Sequence, residues 1–397
     1  MSDETTHFYD YVLSVYMQGM LGAKPSLPMS LDGLEKRARE KLDPKAYWYV
    51  AGGAGMGDTV ESNRAAFQRV QLVPRVCRDV SRRNWQTRIL NTVATAPIML
   101  APVGVQEIVH PDAELAVARA AKSVGVPMML STLSSYSMEE VASELGATPR
   151  WFQLYPPRNM ELAQSLIQRA EASGYEAIVI TVDTRQIGWR WHDLSEAYLP
   201  FLLGQGIRNY ITDPVFRGLL DETPEENPRG AVAKWTEIYE DSSQSWDHFA
   251  RMKEMTRLPV LIKGILHADD ARRAAELGFD GVVISNHGGR QIDGCIAPLD
   301  ALPAIVDGVG DQLAILLDSG IRCGSDIVKA LALGAHSVLI GRPYVWGLAV
   351  DGENGVREVL SRLLAEFDVT CALCGFSKIS DITRDAIASS RIAPRTG

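Results

Sequence analysis

From residue 97 onward the chain alternates short, continuously apolar runs with segments in which apolar residues recur at helical spacing. The runs are Ile98–Ala101, Pro127–Leu130, Trp151–Leu154, Ala177–Val182, Val260–Ile262, Gly281–Ile284, Leu313–Leu317 and Ser337–Ile340. Helices are predicted between them, among others at Asp112–Ser123, Met160–Ser173, Ala268–Leu277 and Ser325–Leu333. Runs that do not alternate with polar residues suit strands covered on both faces, as in a parallel sheet. Eight such runs in alternation with helices predict an α/β fold, a (β/α)8 TIM barrel over residues 97–397.

Two stretches depart from the alternation. Residues 1–96 form an N-terminal extension expected to pack on the barrel. Its first 28 residues, rich in aromatic side chains and interrupted by Lys24-Pro25 and Leu27-Pro28, read as an irregular arm. Ser30 caps a helix over Leu31–Leu42, and a second helix starts at Pro44 and carries Tyr47, Trp48, Tyr49 and Val50 into Ala51-Gly52-Gly53-Ala54-Gly55. That glycine cluster follows a helix instead of a strand, so it reads as a loop and not as a dinucleotide fingerprint. The second departure is an insertion after the fourth run, residues 188–250, with Trp189, Trp191, Tyr198, Phe201, Tyr210, Phe216, Trp235 and Tyr239 among polar turns. So long a connection with so many aromatic residues is expected to be a functional lid.

Charge and cysteines narrow the class. Forty-nine acidic against 40 basic side chains give a net charge of -9, with no basic block to track phosphates, so nucleic acid is not an expected partner. No apolar run of about 18 residues and no basic-then-apolar start are present, which predicts a cytoplasmic protein without a membrane partner. The five cysteines are odd in number and scattered; Cys371 and Cys374 lie in a helical stretch without a second pair, and read as buried thiols, not as a metal site.

The chemistry gathers where the runs end. A lone His-x-x-Arg such as His287–Arg290 most often serves ordinary loop hydrogen bonding. A barrel, however, builds its site from the loops after its strands. Those ends are Ala101-Pro102-Val103-Gly104, Ser131-Thr132, Gln153-Leu154-Tyr155, Thr181-Val182-Asp183, Lys263-Gly264, Ser285-Asn286-His287, Asp318-Ser319-Gly320-Ile321-Arg322 and Gly341-Arg342. The last two offer glycine-exposed amides and guanidiniums to a phosphate. Ser131, Gln153 and Thr181 suit the edge of a heterocycle, and Lys263 suits electron density on a reduced ring.

With Ser285-Asn286-His287-Gly288-Gly289-Arg290-Gln291 and the matching strand ends, the chain resembles the FMN-dependent α-hydroxy acid oxidases and dehydrogenases from about residue 30 to its end. Tyr49-Val50-Ala51-Gly52-Gly53, Gly188-Trp189-Arg190, residues 209–216 and residues 340–344 are most similar to the lactate 2-monooxygenase branch. The resemblance implies FMN as cofactor and a small 2-hydroxy acid and dioxygen as partners. It implies His287 as base, with Asp183 orienting it, Arg190 and Arg290 on the substrate carboxylate, and Tyr49 and Tyr155 assisting. It places the flavin ring against Ala101, Pro102, Val103, Gly104, Ser131, Gln153, Thr181, Lys263 and Ser285, its phosphate on Gly320, Arg322, Gly341 and Arg342, and Asp318 and Ser319 among the cofactor-binding residues. It further implies a homotetramer or octamer. A dehydrogenase serving a quinone or protein acceptor, and a flavin barrel binding a non-acid ligand, are the competing expectations. Two positions depart from the family: Leu133 stands where a tryptophan is frequent, and Gly104 where alanine is frequent, which predicts added room beside the reactive ring atom.

Overall fold

In the computed structural model, whose described residues are 7–239 and 241–388, eight parallel strands close into a barrel. A hairpin of β1 (Thr87–Ile89) and β2 (Thr92–Ala94) precedes the barrel strands β3 (Ile98–Leu100), β4 (Met128–Ser131), β5 (Arg150–Leu154), β6 (Ile178–Thr181), β7 (Val260–Ile265), β8 (Gly281–Ile284), β9 (Ala314–Leu317) and β10 (Ser337–Ile340). They pair in chain order, and β10 returns to β3. The eight apolar runs are these eight strands.

Side chains alternate in and out along a strand. Met99, Met129, Trp151, Val179, Leu261, Val283, Leu316 and Leu339 form one buried cluster, the barrel interior, which Ile89 of the hairpin joins. The Trp151 indole donates to Thr92 Oγ1 at 2.7 Å, fastening the hairpin to β5. Two residues further along each strand the same inward parity reaches Ala101, Ser131, Gln153, Thr181, Lys263, Ser285, Asp318 and Gly341. The apolar interior thus gives way, at the C-terminal end, to a layer of small and polar groups.

The extension holds α1 (Asp10–Met20), α2 (Leu31–Lys41), α3 (Pro44–Ala51) and α4 (Asp58–Arg69). The Ser30 hydroxyl accepts from Gly33 N at 3.2 Å and the Asp43 carboxylate from Lys45 N at 2.8 Å, which caps α2 and α3. The irregular arm expected over residues 1–28 is corrected by α1; residues 1–6 lie outside the described residues. This helix fully buries none of its side chains, its apolar Leu13, Tyr16, Met17 and Met20 recurring at helical spacing on the exposed side, and it is held by Tyr9 N donating to Asp368 Oδ2 (3.1 Å) and Tyr11 Oη to Glu358 Oε2 (3.1 Å).

Helices α5 (Ala113–Val124), α6 (Met138–Leu145) and α7 (Met160–Ala172) cover the first strands. The insertion after β6 is no loose loop: it folds into α8 (Trp191–Ser195), α9 (Arg208–Ile211), α10 (Pro214–Gly218) and α11 (Pro228–Tyr239) before α12 (Trp246–Lys253) resumes the barrel. Phe201, Tyr210, Phe216 and Trp235 are buried beneath it. Arg169 on α7 donates to Asn209 O (2.8 Å) and Asp213 Oδ2 (3.0 Å), while Asp213 caps α10. The remaining helices are α13 (Ala268–Glu276), α14 (Pro298–Val309), α15 (Gly324–Ala332) and α16 (Arg342–Leu373). Cys371 and Cys374 are buried free thiols at the end of α16. Among the described residues no helix is long and apolar enough to cross a membrane.

Candidate active site

The loop after β8 turns sharply, with His287 (φ 59°), Gly288 (φ 68°) and Gly289 (φ 77°) all in the left-handed region. Glycine adopts this readily; for His287 it is strain that surrounding bonds must hold. Asn286 accepts from Gly289 N at 3.0 Å and exchanges amide hydrogen bonds with Asn63 of α4 at 2.9 and 2.7 Å. The turn aims the imidazole back at β6, where Nδ1 lies 2.9 Å from Asp183 Oδ1. Tyr155 Oη stands 3.3 Å from the other nitrogen, Nε2. Burial opposes the charge of Asp183, but the adjacent His287 and Lys263 hold its pKa below the usual carboxylate range.

Arg290 follows on the same turn. Its guanidinium donates to Tyr49 O and, at 3.3 Å, to Gly52 O, the carbonyl end of α3. It lies 5.0 Å from the centre of the Tyr49 ring, and Arg190 lies 5.4 Å from the same ring. Gly188 makes this approach possible, because a side chain there would collide with Arg290 O. Burial and the neighbouring Arg190 lower the pKa of Arg290. Arg190 has a partner in Asp193 at 3.3 Å, an ion-pair distance without hydrogen-bond alignment, since both atoms lack a hydrogen-bond partner. Burial pushes the Asp193 carboxyl up.

The cavity, with an empty volume of about 1200 Å³ including its open mouth, is floored by the polar layer. Ser131 Oγ donates to Gln153 Oε1 (3.0 Å), and Gln153 Nε2 to Thr181 Oγ1 (2.9 Å), along adjacent strands. On the next strands round the barrel Lys263 Nζ donates to Ser285 Oγ (3.0 Å) and pairs with Asp318 Oδ2 (3.1 Å). Burial disfavours the ammonium, yet Asp318 and Asp183 raise its pKa. At the far end Ser319, Gly320, Arg322, Gly341 and Arg342 line the same cavity. Burial first and then Arg64 lower Arg322 to about 10; burial, Arg290 and Arg322 lower Arg342 to about 9. Cations this desolvated and this close call for an anion.

Of the residues singled out in the sequence, the structure brings Tyr49, Ala101–Gly104, Ser131, Tyr155, Arg190, Lys263, His287, Arg290, Asp318–Gly320, Arg322, Gly341 and Arg342 onto this one cavity; Gln153, Thr181, Asp183 and Ser285 bond to its walls. Arg342 lines the cavity and also braces α3: its guanidinium donates to Val50 O (2.9 Å), Gly288 O (2.8 Å) and Gly52 O (3.0 Å). The room expected at Gly104 is also corrected, since a methyl there would come within 2.6 Å of Leu133 O and 3.2 Å of Leu133 Cβ. The two unusual positions close against each other. Thr184 and Asn63 were missed altogether, while Leu133 and, from the insertion expected as a lid, Phe201 and Tyr239 line the cavity. Only the adjacency of Thr184 to Asp183 offered a signal.

The floor fits a flat heterocycle carrying hydrogen-bonding edges, Lys263 fits a ring that gains electrons, and the buried guanidinium of Arg322 fits a phosphate. The profile of the FMN-dependent dehydrogenases matches residues 38–389. The chain is 42% identical over 385 residues to the FMN-dependent alpha-hydroxy acid dehydrogenase qulF of Penicillium citrinum, covering 96% of each. It is 42% identical over 360 residues to an L-lactate oxidase of Lysinibacillus sphaericus, covering 91% of this chain and 92% of that one. The crystal structure of a mandelate oxidase superposes with a TM-score of 0.80 at 37% identity, over 91% of this chain and 98% of the other. With most of its length matched in profile, sequence and fold, and a cavity whose floor and cations suit the cofactor, the chain belongs to the FMN-dependent dehydrogenase family and uses FMN.

Proposed function

We propose that the chain oxidises a lactate-like (S)-2-hydroxy acid to its 2-oxo acid, with dioxygen as terminal acceptor. The observation that carries this reading is the Asp183–His287 pair at 2.9 Å, set in one cavity with two guanidiniums that flank Tyr49. Relatives named as L-lactate oxidase and as 2-hydroxyacid oxidase support it.

Arg190 and Arg290 hold the substrate carboxylate, with the Tyr49 and Tyr155 hydroxyls assisting, and this fixes the α-carbon beside His287. His287 Nε2 accepts the proton that the substrate releases, and Asp183 stabilises the imidazolium. Bound FMN supplies a reversible two-electron sink, taking the two electrons of the substrate and passing them to dioxygen. Ala101–Gly104, Ser131, Gln153, Thr181, Lys263 and Ser285 would hold its ring, Gly320, Arg322, Gly341 and Arg342 its phosphate, and Asp318 and Ser319 would line the cofactor between them.

Phe201 and Tyr239 roof the cavity, which favours a further outcome. A 2-oxo acid retained there is attacked by the hydrogen peroxide formed, giving the shortened acid, carbon dioxide and water. The same reading includes a cytoplasmic location and a homotetramer or octamer, for which the exposed Tyr16, Met17, Met20 and Leu21 supply apolar surface that light scattering can show to be covered.

The deciding experiment is anaerobic titration of the FMN-loaded chain with a panel of (S)-2-hydroxy acids, followed by product analysis in air. Flavin bleaching by at least one acid is expected. Free peroxide with 2-oxo acid marks release before attack, and carbon dioxide marks retention; no bleaching by any acid sinks the reading.

A further inference from the structure

Thr184 follows Asp183 in the loop after β6 and lines the cavity. Its hydroxyl lies 2.9 Å from Asp183 Oδ1 and 3.3 Å from His287 Nδ1, while Nδ1 lies 2.9 Å from that same Oδ1. The three atoms close a triangle in which the hydroxyl has one proton to give. Given to Nδ1, it would force the imidazole proton onto Nε2 and turn an N–H toward the cavity, where a proton acceptor is needed. Given to Oδ1, it leaves Nδ1–H directed at the carboxylate and the Nε2 lone pair facing the cavity and Tyr155.

Among the described residues no other hydrogen bond reaches the carboxylate. Asp183 Oδ2 is buried without a hydrogen-bond partner among the described residues, so both hydrogen bonds that orient the side chain meet on Oδ1. Free rotation of Asp183 would exchange its oxygens and loosen the imidazole, which already sits on a left-handed backbone. A hydroxyl on the neighbouring residue prevents this at the cost of one rotamer.

We propose that Thr184 is a positioning residue of the His287–Asp183 pair: its hydroxyl donates to the Asp183 oxygen that receives the imidazole N–H, and so selects the tautomer with Nε2 free. The proposal rests on the oxidation assigned above, and its test separates the two. In FMN-loaded Thr184→Val, a near-isosteric change that removes only the hydroxyl, the limiting rate of anaerobic flavin reduction by (S)-lactate or (S)-mandelate is expected to fall roughly 10- to 100-fold, the scale seen when an outer-shell hydrogen bond is lost. Half-saturation should move by less than about threefold, because the carboxylate grip is untouched. FMN content should equal that of the wild type, and Thr184→Ser should restore the rate. A Val variant reduced at the wild-type rate, or a Ser variant as slow as Val, overturns the proposal. A second readout needs no turnover: with ¹⁵N-histidine in the FMN-loaded chain, the His287 ring resonances, assigned by their loss in His287→Ala, should shift in Thr184→Val and return in Thr184→Ser. If no 2-hydroxy acid reduces the wild type, the oxidation reading falls while this spectrum still decides, since unchanged His287 resonances in Thr184→Val refute the role of the hydroxyl.

Discussion

Glu114 is fully buried, and backbone amides hold its carboxylate: Gln106 N at 3.2 Å and Ser135 N at 3.1 Å. It therefore ties the loop after β3, which carries Val103 and Gly104, to the loop after β4, which carries Leu133. Burial pushes its pKa from 4.5 up to about 7. Between those values the folded chain binds more protons than the unfolded one, so stability is greatest below the lower value and falls as pH rises through the higher. The loss is on the order of 3 kcal/mol by pH 8, and Glu114→Gln should flatten it; urea unfolding of both proteins at pH 5 and pH 8 measures the difference. Arg290 answers to two partners, which makes a second prediction. Arg290→Lys should raise half-saturation for the acid by about 10-fold, because an ammonium cannot make the bidentate contact. It should also cost roughly 1 kcal/mol in unfolding, because the carbonyls of Tyr49 and Gly52 lose their donor. The strand-end residues were legible from sequence because a period of two carries the interior parity straight into the site. Thr184, Asn63 and Glu114 were not, since their partners Asp183, Asn286, Gln106 and Ser135 define them only once the loops are placed.

Elements with a strong periodic signature were easiest to read, so the eight strands and the helices α2, α3, α5, α7, α13 and α15 stand within a residue or two of their expected places, except that β7 runs three residues beyond Ile262. The hairpin β1–β2 has three-residue strands, α1 has no buried face, and α4 owes its placement to Asp293, which accepts from Met56 N (2.6 Å) and Thr59 N (3.0 Å). The hairpin and α4 carry no strong local pattern, and the apolar stripe of α1 faces away from the core. The insertion was legible as an aromatic lid, but which of its rings reach the cavity depends on packing. Trp235 is its keystone: 2% exposed, stacked on Tyr239 at 4.6 Å and tilted on Phe201 at 5.4 Å. Those two rings reach Tyr155 and Tyr49 in turn, at 5.7 and 6.3 Å between centroids. Trp235→Ala should cost about 3–5 kcal/mol in chemical unfolding. Because it releases Tyr239 and Phe201, it should also raise the ratio of free peroxide and 2-oxo acid to carbon dioxide, whereas a destabilised but correctly roofed enzyme would keep its product ratio.

At the scale of the whole molecule the charge is divided. The chain carries a net -9, yet its central cavity gathers Arg290, Arg322 and Arg342, each with a pKa lowered by burial and by neighbouring cations. An acidic exterior does little for charges that the barrel removes from solvent, because the interaction that matters is at short range and in a low dielectric. The fold therefore holds a repulsion that Asp193, Glu35, Asp326 and Asp318 offset in part and that an anion in the cavity would relieve further, and FMN brings one in its phosphate. The FMN-free chain should accordingly gain thermal stability from inorganic phosphate at constant ionic strength, by about 2.7 kcal/mol at a hundredfold excess over the dissociation constant. Chloride at the same ionic strength should do far less, since screening alone barely reaches buried charges. Arg322→Gln should flatten the phosphate response. FMN itself should abolish it, because the site is then filled. Scanning calorimetry across a phosphate series, with and without FMN, measures all of these; equal stabilisation by phosphate and chloride would show that the buried cations are balanced within the fold and need no ligand.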